Sequence, residues 1–284
     1  MRRIFAAVPL SLYLLCLCGP VAARAQLCAP GTTSHEADLF GIRSLSLAMT
    51  RAGAVRDDPP GTVRAGAEAM WLPPIDDETA RATTCRPGKG PENVNALAVA
   101  GRLRASVALP AHVLLELSWI PPITLKHMRA NLVGVAIGKT HPLSPTLALS
   151  ARAHALFGNI TGPFTCPDDA VADATSQCFN GTRSSDRLEP NVFGADVALG
   201  WRRPLHNFSW YAGAGYSRLR PRFRVHFVDA QGVRDSTRVE VDLDRATFFA
   251  GGSRALASWR FSLEAYAANR DGMTLRAGID RAVK

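Results

Sequence analysis

The sequence predicts an all-β fold, a closed antiparallel up-and-down transmembrane β-barrel of about 10 strands, with a range of about 8 to 12. Three observations carry this prediction. Apolar and polar residues alternate with a period of two along most of the chain after residue 61, short connections alternate with long ones, and tryptophans lie near the ends of the proposed strands. We therefore expect long external loops at one rim of the barrel and short periplasmic turns at the other.

The alternation is clearest in NALAVAGRLRASVALPAHVLLELSW, residues 95–119. Charged residues such as Arg102 and Glu116 occupy even positions, whereas apolar residues such as Leu103 and Trp119 occupy odd positions. Successive side chains of a strand point to opposite faces, so each strand has one apolar and one polar face. The segments with this pattern span about 62–72, 95–109, 112–121, 128–140, 145–158, 190–203, 207–220, 238–252, 256–269 and 272–282.

The polar face of these strands favours a membrane barrel over a soluble sandwich, although both folds have one apolar face. It mixes charges of both signs with Gly, Ala and Ser and has few lysines. Small residues and paired opposite charges suit a narrow lumen filled by side chains. Because arginines outnumber acids on this face, a residual pore would weakly prefer anions. The candidate lumen residues, lining a binding surface or a channel, are Arg102, Arg104, Glu116, Arg152, His154, Asp196, Arg202, Arg260, Glu264, Arg276 and Asp280.

Connection lengths and aromatic positions also favour the membrane barrel. Linkers such as 73–94 and 159–189 are long, whereas 110–112 and 253–255 are short, as at the two rims of an outer-membrane barrel. Aromatic side chains of such barrels concentrate at the two membrane interfaces. The aromatic residues near the ends of the proposed strands are Trp71, Trp119, Phe157, Trp201, Trp210 and Trp259.

The chain begins with a predicted export signal. Residues 1–25 combine Arg2 and Arg3, an apolar run from Ile4 to Cys18 and a small-residue cleavage site, so we predict a cleaved signal peptide. Removing its three arginines lowers the net charge from +9 to +6, since 30 basic and 24 acidic residues remain. The basic residues are scattered singly through strands, which does not favour nucleic-acid binding.

Four cysteines lie after residue 25, and an even number in an exported chain favours disulfides over metal ligands. Cys166 and Cys178 share one polar segment, and closing that short loop would contribute about 3 kcal/mol in the chain-entropy model. Cys28 and Cys85 are then the remaining pair by elimination. Because Cys85 lies in a loop expected to be external, that bond requires the N-terminal segment to pass through the lumen as a plug.

The segment 26–61 itself is open to several interpretations. Its stretch SHEADLFGIRSLSLAM fits a short capped helix from Ser34 or an extra strand, and DDPPG then stops it. The barrel is assigned to residues 62–284.

The stretch YSRLRPRFRVHFVDAQGVRDSTRVEVDLDRATFFAG predicts a hairpin with its turn near Gln231. In this register an external ladder of opposite charges forms on one face, and apolar residues occupy the other. Nearer the membrane, around Trp210 and Phe248, the polarity of the two faces is reversed. Either the hairpin leaves the bilayer and turns its apolar face over the barrel mouth, or a β-bulge at Pro221 resets the alternation. The ladder pairs Arg218 with Asp244, Arg220 with Asp242, and Arg222 with Glu240.

The sequence identifies no catalytic residue, metal or cofactor. It has no paired metal-ligand spacing, nucleophile elbow, phosphate loop or dinucleotide fingerprint. Ser150, His154 and Glu264 could in principle form a hydrolase-like trio in the lumen, but ordinary polar lining explains them better.

In its signal peptide, alternation, loop pattern and aromatic positions, the chain resembles bacterial outer-membrane β-barrel proteins over about residues 62–284. Stretches such as EPNVFGADVALG and YAGAGYSRLRPRF resemble uncharacterised members of that class. Many such barrels end on an aromatic residue, whereas this chain ends Ala282, Val283, Lys284. The resemblance implies the outer membrane of a Gram-negative cell, with lipid including lipopolysaccharide and the barrel-insertion machinery as partners.

We accordingly expect an outer-membrane barrel with a charged, narrow or plugged lumen. Its role would be structural, ligand-binding or that of a channel for an unidentified small solute. The alternatives are an outer-membrane enzyme that hydrolyses lipid or peptide, and a soluble exported β-sandwich or barrel that binds a ligand.

Overall fold

Ten strands form a closed antiparallel barrel in the computed structural model, which describes residues 26–51, 53–55, 58–81, 84–86, 90–203 and 207–283. Each strand pairs with its neighbours in the chain, and the last pairs with the first, which confirms the predicted closed antiparallel barrel of ten strands. The signal peptide predicted for residues 1–25 lies outside the described residues. The strands are β1 Val63–Trp71, β2 Val99–Leu109, β3 Val113–Ile120, β4 Met128–Pro142, β5 Leu147–Gly162, β6 Val192–Arg203, β7 Phe208–Leu219, β8 Leu243–Leu256, β9 Trp259–Ala268 and β10 Gly272–Ala282.

The connections divide between two rims, as the sequence predicts. At the short-turn rim β2 and β3 are joined by a single 3₁₀ turn, Pro110–His112, in which Ala111 and His112 have positive φ. At the opposite, long-loop rim the connections include residues 72–98, 163–191 and 220–242. The long connections are therefore concentrated at one end of the barrel.

The outer surface of the ring is apolar. Outward side chains such as Leu117, Val135, Val197 and Leu263 are exposed, whereas the intervening side chains point inward and are mostly buried. The six aromatic residues expected at strand ends are all exposed on this surface. Strand direction places Trp71, Trp119 and Phe157 towards the long-loop rim and Trp201, Trp210 and Trp259 towards the short-turn rim.

A helix, α1 His35–Leu47, lies inside the barrel. Its N-cap is Ser34, whose side chain accepts a hydrogen bond from the Ala37 amide at 3.1 Å. Most of its residues are buried, including the charged Glu36 and Arg43, because the wall and the long loops enclose it. In the described part of the chain, no helix has the length and apolar content needed to cross a membrane.

The long-loop rim carries further short elements. Five strands extend the sheet beyond the ring, and two more pair with each other. The five are Leu27–Cys28, Thr124–Leu125, Asp186–Glu189, Arg222–Arg224 and Arg238–Glu240, the separate pair is Phe227–Val228 with Arg234–Asp235, and two short helices are α2 Asp77–Arg81 and α3 Asp168–Ala172.

The hairpin between β7 and β8 continues the register of the barrel without interruption. The structure pairs Phe208 with Arg254 at the short-turn rim and still pairs Arg222 with Glu240 beyond the ring. A bulge at Pro221 would have shifted that register by one residue, so the bulge interpretation is wrong. The Pro221 carbonyl instead accepts a hydrogen bond from the Val241 amide at 3.2 Å.

The reversal of polarity in this hairpin has a physical cause in its surroundings. The outward face changes from apolar to charged above Tyr216, and Arg218 and Arg220 lie 3.6 and 3.8 Å from Asp242. The inward face becomes apolar at the same level because Leu219 and Phe223 cover the barrel mouth. The predicted charge ladder is therefore exposed, as expected for a hairpin that has left the apolar belt.

Candidate functional site

The N-terminal segment, residues 26–51 and 53–55, is a plug that runs through the lumen. A disulfide joins Cys28 to Cys85 at the long-loop rim, with a Cα–Cα distance of 5.7 Å. From there α1 runs into the barrel. Beyond the plug, Asp58 lies at the short-turn rim, 3.1 Å from Arg64 near the start of β1, so the chain has passed from one rim to the other. The pairing of cysteines by elimination is confirmed, as is the second bond, Cys166–Cys178.

Four arginines of the barrel wall hold the C-terminal end of α1. The last carbonyl groups of a helix have no partner within the helix and carry the negative end of its dipole, so cations bind there favourably. The guanidinium groups of β2, β5 and β10 satisfy these carbonyls and those of the next residues. The hydrogen bonds run from Arg102 to Leu47 O (2.5 Å), Arg276 to Ala48 O (2.7 Å), Arg152 to Met49 O (3.1 Å) and Arg104 to Thr50 O (2.8 Å).

Glu68 on β1 is the central acid of this arginine cluster. Its carboxylate lies 2.5 Å from Arg104, 3.6 Å from Arg102 and 3.7 Å from Arg276. It was absent from the residues that the sequence singled out. The signal was nevertheless present, because Glu68 occupies an even position in the first alternating segment, like the acids that were found.

Two further acids extend the cluster around the lumen. Glu116 accepts from Arg104 at 2.7 Å and from Arg152 at 2.9 Å. Asp196 lies 3.3 Å from Arg152 and 2.6 Å from Arg51 of the plug. Charges of opposite sign thus alternate around the wall from β1 to β6, with β4 contributing no charge to these contacts, and the chain of contacts ends on Arg51 of the plug.

The sequence predicts more arginines than acids in the lumen, and backbone carbonyl groups of the plug are the partners of the additional arginines. Five buried arginines face three carboxylates in this cluster, and backbone carbonyls supply the remaining acceptors. A buried cation needs such partners, since burying it without them costs several kcal/mol. These residues therefore bind protein rather than line an open pore in this structure.

The remaining predicted lumen residues divide into two groups. Glu264, buried in the wall, accepts a hydrogen bond from the Tyr211 hydroxyl at 2.8 Å, and Asp280 accepts one from Arg64 at 2.9 Å. Arg202 was wrongly assigned to the lumen interior, because it occupies an inward-facing position but lies exposed at the short-turn rim. Arg260 lies near the same rim, but its side chain points inward, is 14% exposed and lies 3.6 Å from Asp58.

The structure does not assemble the hydrolase-like trio. The Ser150 hydroxyl accepts from Arg51 at 3.0 Å, and Glu264 is bonded to Tyr211. His154 lies four residues from Ser150 on the same face of the same strand, and no hydrogen bond joins these three described side chains.

An apolar cavity of about 490 Å³ lies between α1, the wall and the long loops. One face of α1 lines it, at positions spaced by three or four residues, as expected for one side of a helix. The cavity is roofed by a cap, defined here as Phe164 with the short strands Asp186–Glu189, Arg222–Arg224 and Arg238–Glu240. Its apolar lining includes Leu39, Phe40, Leu47, Ala100, Met128 and Phe223.

The cap is fixed by aromatic packing and one buried carboxylate. The ring of Phe223 lies 5.7 Å from that of Phe40 on the plug and 5.9 Å from that of Phe164. Asp186 accepts hydrogen bonds from the amides of Thr165 and His226, at 2.7 and 2.8 Å. Burial raises the pKa of Asp186 despite these donors. The cavity roof is therefore tied to both the plug and the long loops.

Arg43 is a polar group within this apolar lining. Its side chain is 7% exposed, and it donates to Pro73 O (3.0 Å), Val94 O (2.9 Å) and Asn95 Oδ1 (2.8 Å). No carboxylate of the described chain pairs with it, and its Nε–H has no hydrogen-bond partner there. Two other donors of the lining, Arg86 Nη1 and Arg102 Nε, also make no hydrogen bond, but they lie 3.7 and 3.6 Å from the carboxylates of Glu92 and Glu68. Arg43 Nε–H is thus the unused donor of the described lining that has no carboxylate beside it.

Metal binding finds no support in the described ranges, where no group of three or more His, Cys, Asp or Glu side chains is arranged to hold an ion.

The fold is a closed ten-stranded β-barrel with a plug in its lumen, and the comparisons with solved structures give similar barrels from bacterial outer membranes. No protein-family model matches the sequence, and no curated protein matches it significantly. Among solved structures, the outer membrane protease OmpT from Escherichia coli is 11% identical with a TM-score of 0.36, covering 78% of this chain and 94% of that one.

Two further solved structures are similar at the same level. The Pseudomonas putida toluene transporter TodX is 14% identical with a TM-score of 0.34, over 80% of this chain and 68% of its own. The Acinetobacter baumannii outer membrane protein Omp33 is 8% identical with a TM-score of 0.31, over 78% and 98%.

Proposed function

We propose that this protein is an outer-membrane β-barrel that binds an apolar small molecule between its plug and its cap. The cavity of about 490 Å³ is the observation that carries the proposal. Small-molecule sites have volumes of roughly 300–1,000 Å³, with a mostly apolar lining and a few polar groups that orient the ligand. This cavity has that volume and that kind of lining.

The outer surface supports a membrane location. A continuous belt of exposed Leu, Val, Ile and Phe side chains surrounds the ring, with aromatic residues towards both rims. A soluble protein rarely exposes so large a contiguous apolar surface, whereas a membrane barrel requires one. The charged outward face above Tyr216 fits the upper limit of that belt.

The lumen supports binding over conduction along the barrel axis. The plug occupies the lumen, and its carbonyl groups are bonded to wall arginines on three strands. The hydrolytic alternative has less support because Ser150 and Glu264 are engaged with other partners. Because the plug fills the polar part of the lumen, the apolar cavity is the space available to a ligand.

Arg43 supports a ligand with one hydrogen-bond acceptor. Its unpaired Nε–H lies in a low-dielectric site, where a bond to a carbonyl or carboxylate oxygen is stronger than in water. An apolar ligand that carries such an oxygen is therefore expected to bind more tightly than the parent hydrocarbon.

Photolabelling tests the proposal. The chain is expressed, its membrane fraction is isolated, and the barrel is confirmed by heat-modifiable gel mobility. An apolar diazirine probe is then activated and the labelled peptides are mapped. We expect labels on Phe40 and Leu47 of α1, competed by excess unlabelled probe. Absence of any label on α1 in correctly folded protein would overturn the proposal.

A matched pair of variants locates the site. Ala100 lines the cavity from β2, whereas Ala105 on the same strand faces outward. We expect Ala100→Phe to fill the cavity and reduce α1 labelling at least fivefold, while Ala105→Phe leaves it unchanged. Equal labelling of the two variants would place the probe elsewhere.

A further inference from the structure

Strand β2 is paired on both sides over only part of its length. Towards β1 its ladder continues to its first residue, where Val99 pairs with Trp71. Towards β3 the ladder stops at Leu103, which pairs with Trp119. In the part of the wall that the structure describes, residues 99–102 therefore have no ladder partner on the β3 side.

The interruption follows from the sequence IPP at the end of β3. Pro121 and Pro122 have no amide hydrogen, so neither can donate to a ladder, and their fixed φ favours a change of direction. The Ile123 amide bonds back to the Pro121 carbonyl at 2.7 Å, which turns the chain away from β2. The strand ends at Ile120 although its partner continues.

At this interruption the cavity is lined by side chains from both faces of the wall. Its lining includes Ala100 and Arg102, which point inward, and also Val99 and Leu103, which point outward and are 54% and 50% exposed. Ile123, beyond the two prolines, lines it as well and is 62% exposed. A complete wall would separate these two sets of side chains, so their shared cavity marks a lateral gap.

The gap lies at the edge of the apolar belt. Trp71 is paired with Val99 and Trp119 with Leu103, so two interfacial tryptophans mark its level on the outside of the barrel. Such side chains sit where acyl chains meet the polar headgroups. The gap therefore faces the boundary of the lipid phase rather than the solution above the loops.

We infer that the cavity exchanges its ligand with the surrounding bilayer through this lateral gap, and that the ligand is accordingly a molecule dissolved in the membrane. The inference rests on the proposed function for the existence of a ligand. It adds the route and the substrate class: an apolar compound enters between β2 and β3 and stops against α1, without travelling along the barrel axis.

Access from lipid to the gap is measured independently of any ligand. Single cysteines replace three alanines: Ala100 at the gap, Ala136 inside the complete wall of β4, and Ala105 on the lipid-facing side of β2. Each substitution adds a single sulfur atom to the alanine side chain. Each purified variant is reconstituted in lipid vesicles and treated with a long-chain alkyl maleimide, which resides in the bilayer, or with a charged maleimide, which remains in water.

We expect the alkyl reagent to modify Ala100→Cys within threefold of the rate for Ala105→Cys, and at least tenfold faster than Ala136→Cys. The charged reagent should modify Ala100→Cys at least tenfold more slowly than the alkyl reagent does. The inference is overturned if Ala100→Cys is as unreactive as Ala136→Cys, or if the charged reagent modifies it faster. Photolabelling of α1 fails if the proposed function is wrong, whereas these rates fail only if the gap is closed to lipid.

Discussion

Arg276 on the last barrel strand donates from Nη1 to the carbonyl oxygen of Ala48, the C-cap residue of α1, at 2.7 Å. The same guanidinium lies 5.1 Å from the ring centre of Tyr266 on the neighbouring strand and 3.7 Å from Glu68. One side chain thus joins the plug, the wall and the buried acid. The stability of the plug and that of the barrel are expected to depend on the same few contacts.

Removing the charge of Glu68 should destabilise the protein strongly. Glu68→Gln leaves three buried guanidinium groups without their shared carboxylate, and breaking a buried ion pair costs about 3–5 kcal/mol. The measurement is urea unfolding in lipid vesicles, followed by tryptophan fluorescence. Glu78→Gln, at an exposed position on α2, is the control and should change the free energy of unfolding by less than about 0.5 kcal/mol. Equal midpoints for the two variants would contradict the central role of Glu68.

The two disulfides should contribute unequally. Their sequence separations are 57 residues for Cys28–Cys85 and 12 for Cys166–Cys178. Loop closure in the unfolded chain then gives about 4 kcal/mol for the first and about 3 kcal/mol for the second. Two double Cys→Ser variants are compared by the same unfolding measurement. A smaller loss on removing Cys28–Cys85 than on removing Cys166–Cys178 would indicate that the plug retains structure in the unfolded state.

Gly134 should be intolerant of even one added methyl group. A Cβ there would overlap Ser118 Oγ and lie 3.0 Å from Met49 Sδ on the plug. Gly134→Ala is expected to cost about 1–3 kcal/mol through overpacking. Gly138, on the same inward face of β4, has only ordinary contacts from 3.4 Å outward, so Gly138→Ala is the matched control. Similar free energies of unfolding for both variants would show that Met49 and Ser118 move to accommodate the added methyl group at Gly134.

The exposed tryptophans should report the membrane boundary. Single-tryptophan variants, with the other four changed to Phe, are reconstituted in lipids brominated either near the headgroup or near the end of the acyl chain. We expect each of Trp71, Trp119, Trp201, Trp210 and Trp259 to be quenched more by the first kind, since all five are exposed on the apolar belt towards its rims. Fluorescence unaffected by either lipid would favour the soluble alternative.

The alternation in the sequence was sufficient to predict the ten strands, because each has one face in an apolar and one in a polar environment. It placed Arg102, Arg104, Glu116 and Arg152 correctly on the inward face, where they are buried. An even or odd position shows which face of the strand a side chain points to, but not how far along the barrel axis it lies. For this reason Arg202 was assigned to the interior although it lies at the rim. Glu68 was overlooked despite having the right parity.

The cavity and the gap could not be predicted from alternation. They depend on where α1 lies in the lumen and on which residues of β2 continue beyond Leu103 without a partner, and both are tertiary features. The pairing of Cys28 with Cys85 was the single sequence inference that led to the plug. The prolines at 121 and 122 were visible in the sequence, but their effect on the wall appears only in the pairing of β2.

The contact between Arg276 and Ala48 spans 228 residues of sequence, which has a consequence for the order of assembly. The strand that closes the ring is also the strand that completes the set of donors to the helix end. Before β10 arrives, a nine-stranded intermediate would expose open sheet edges, and its helix would lack part of its anchorage. Docking of the helix end and closure of the barrel are therefore expected to be thermodynamically coupled.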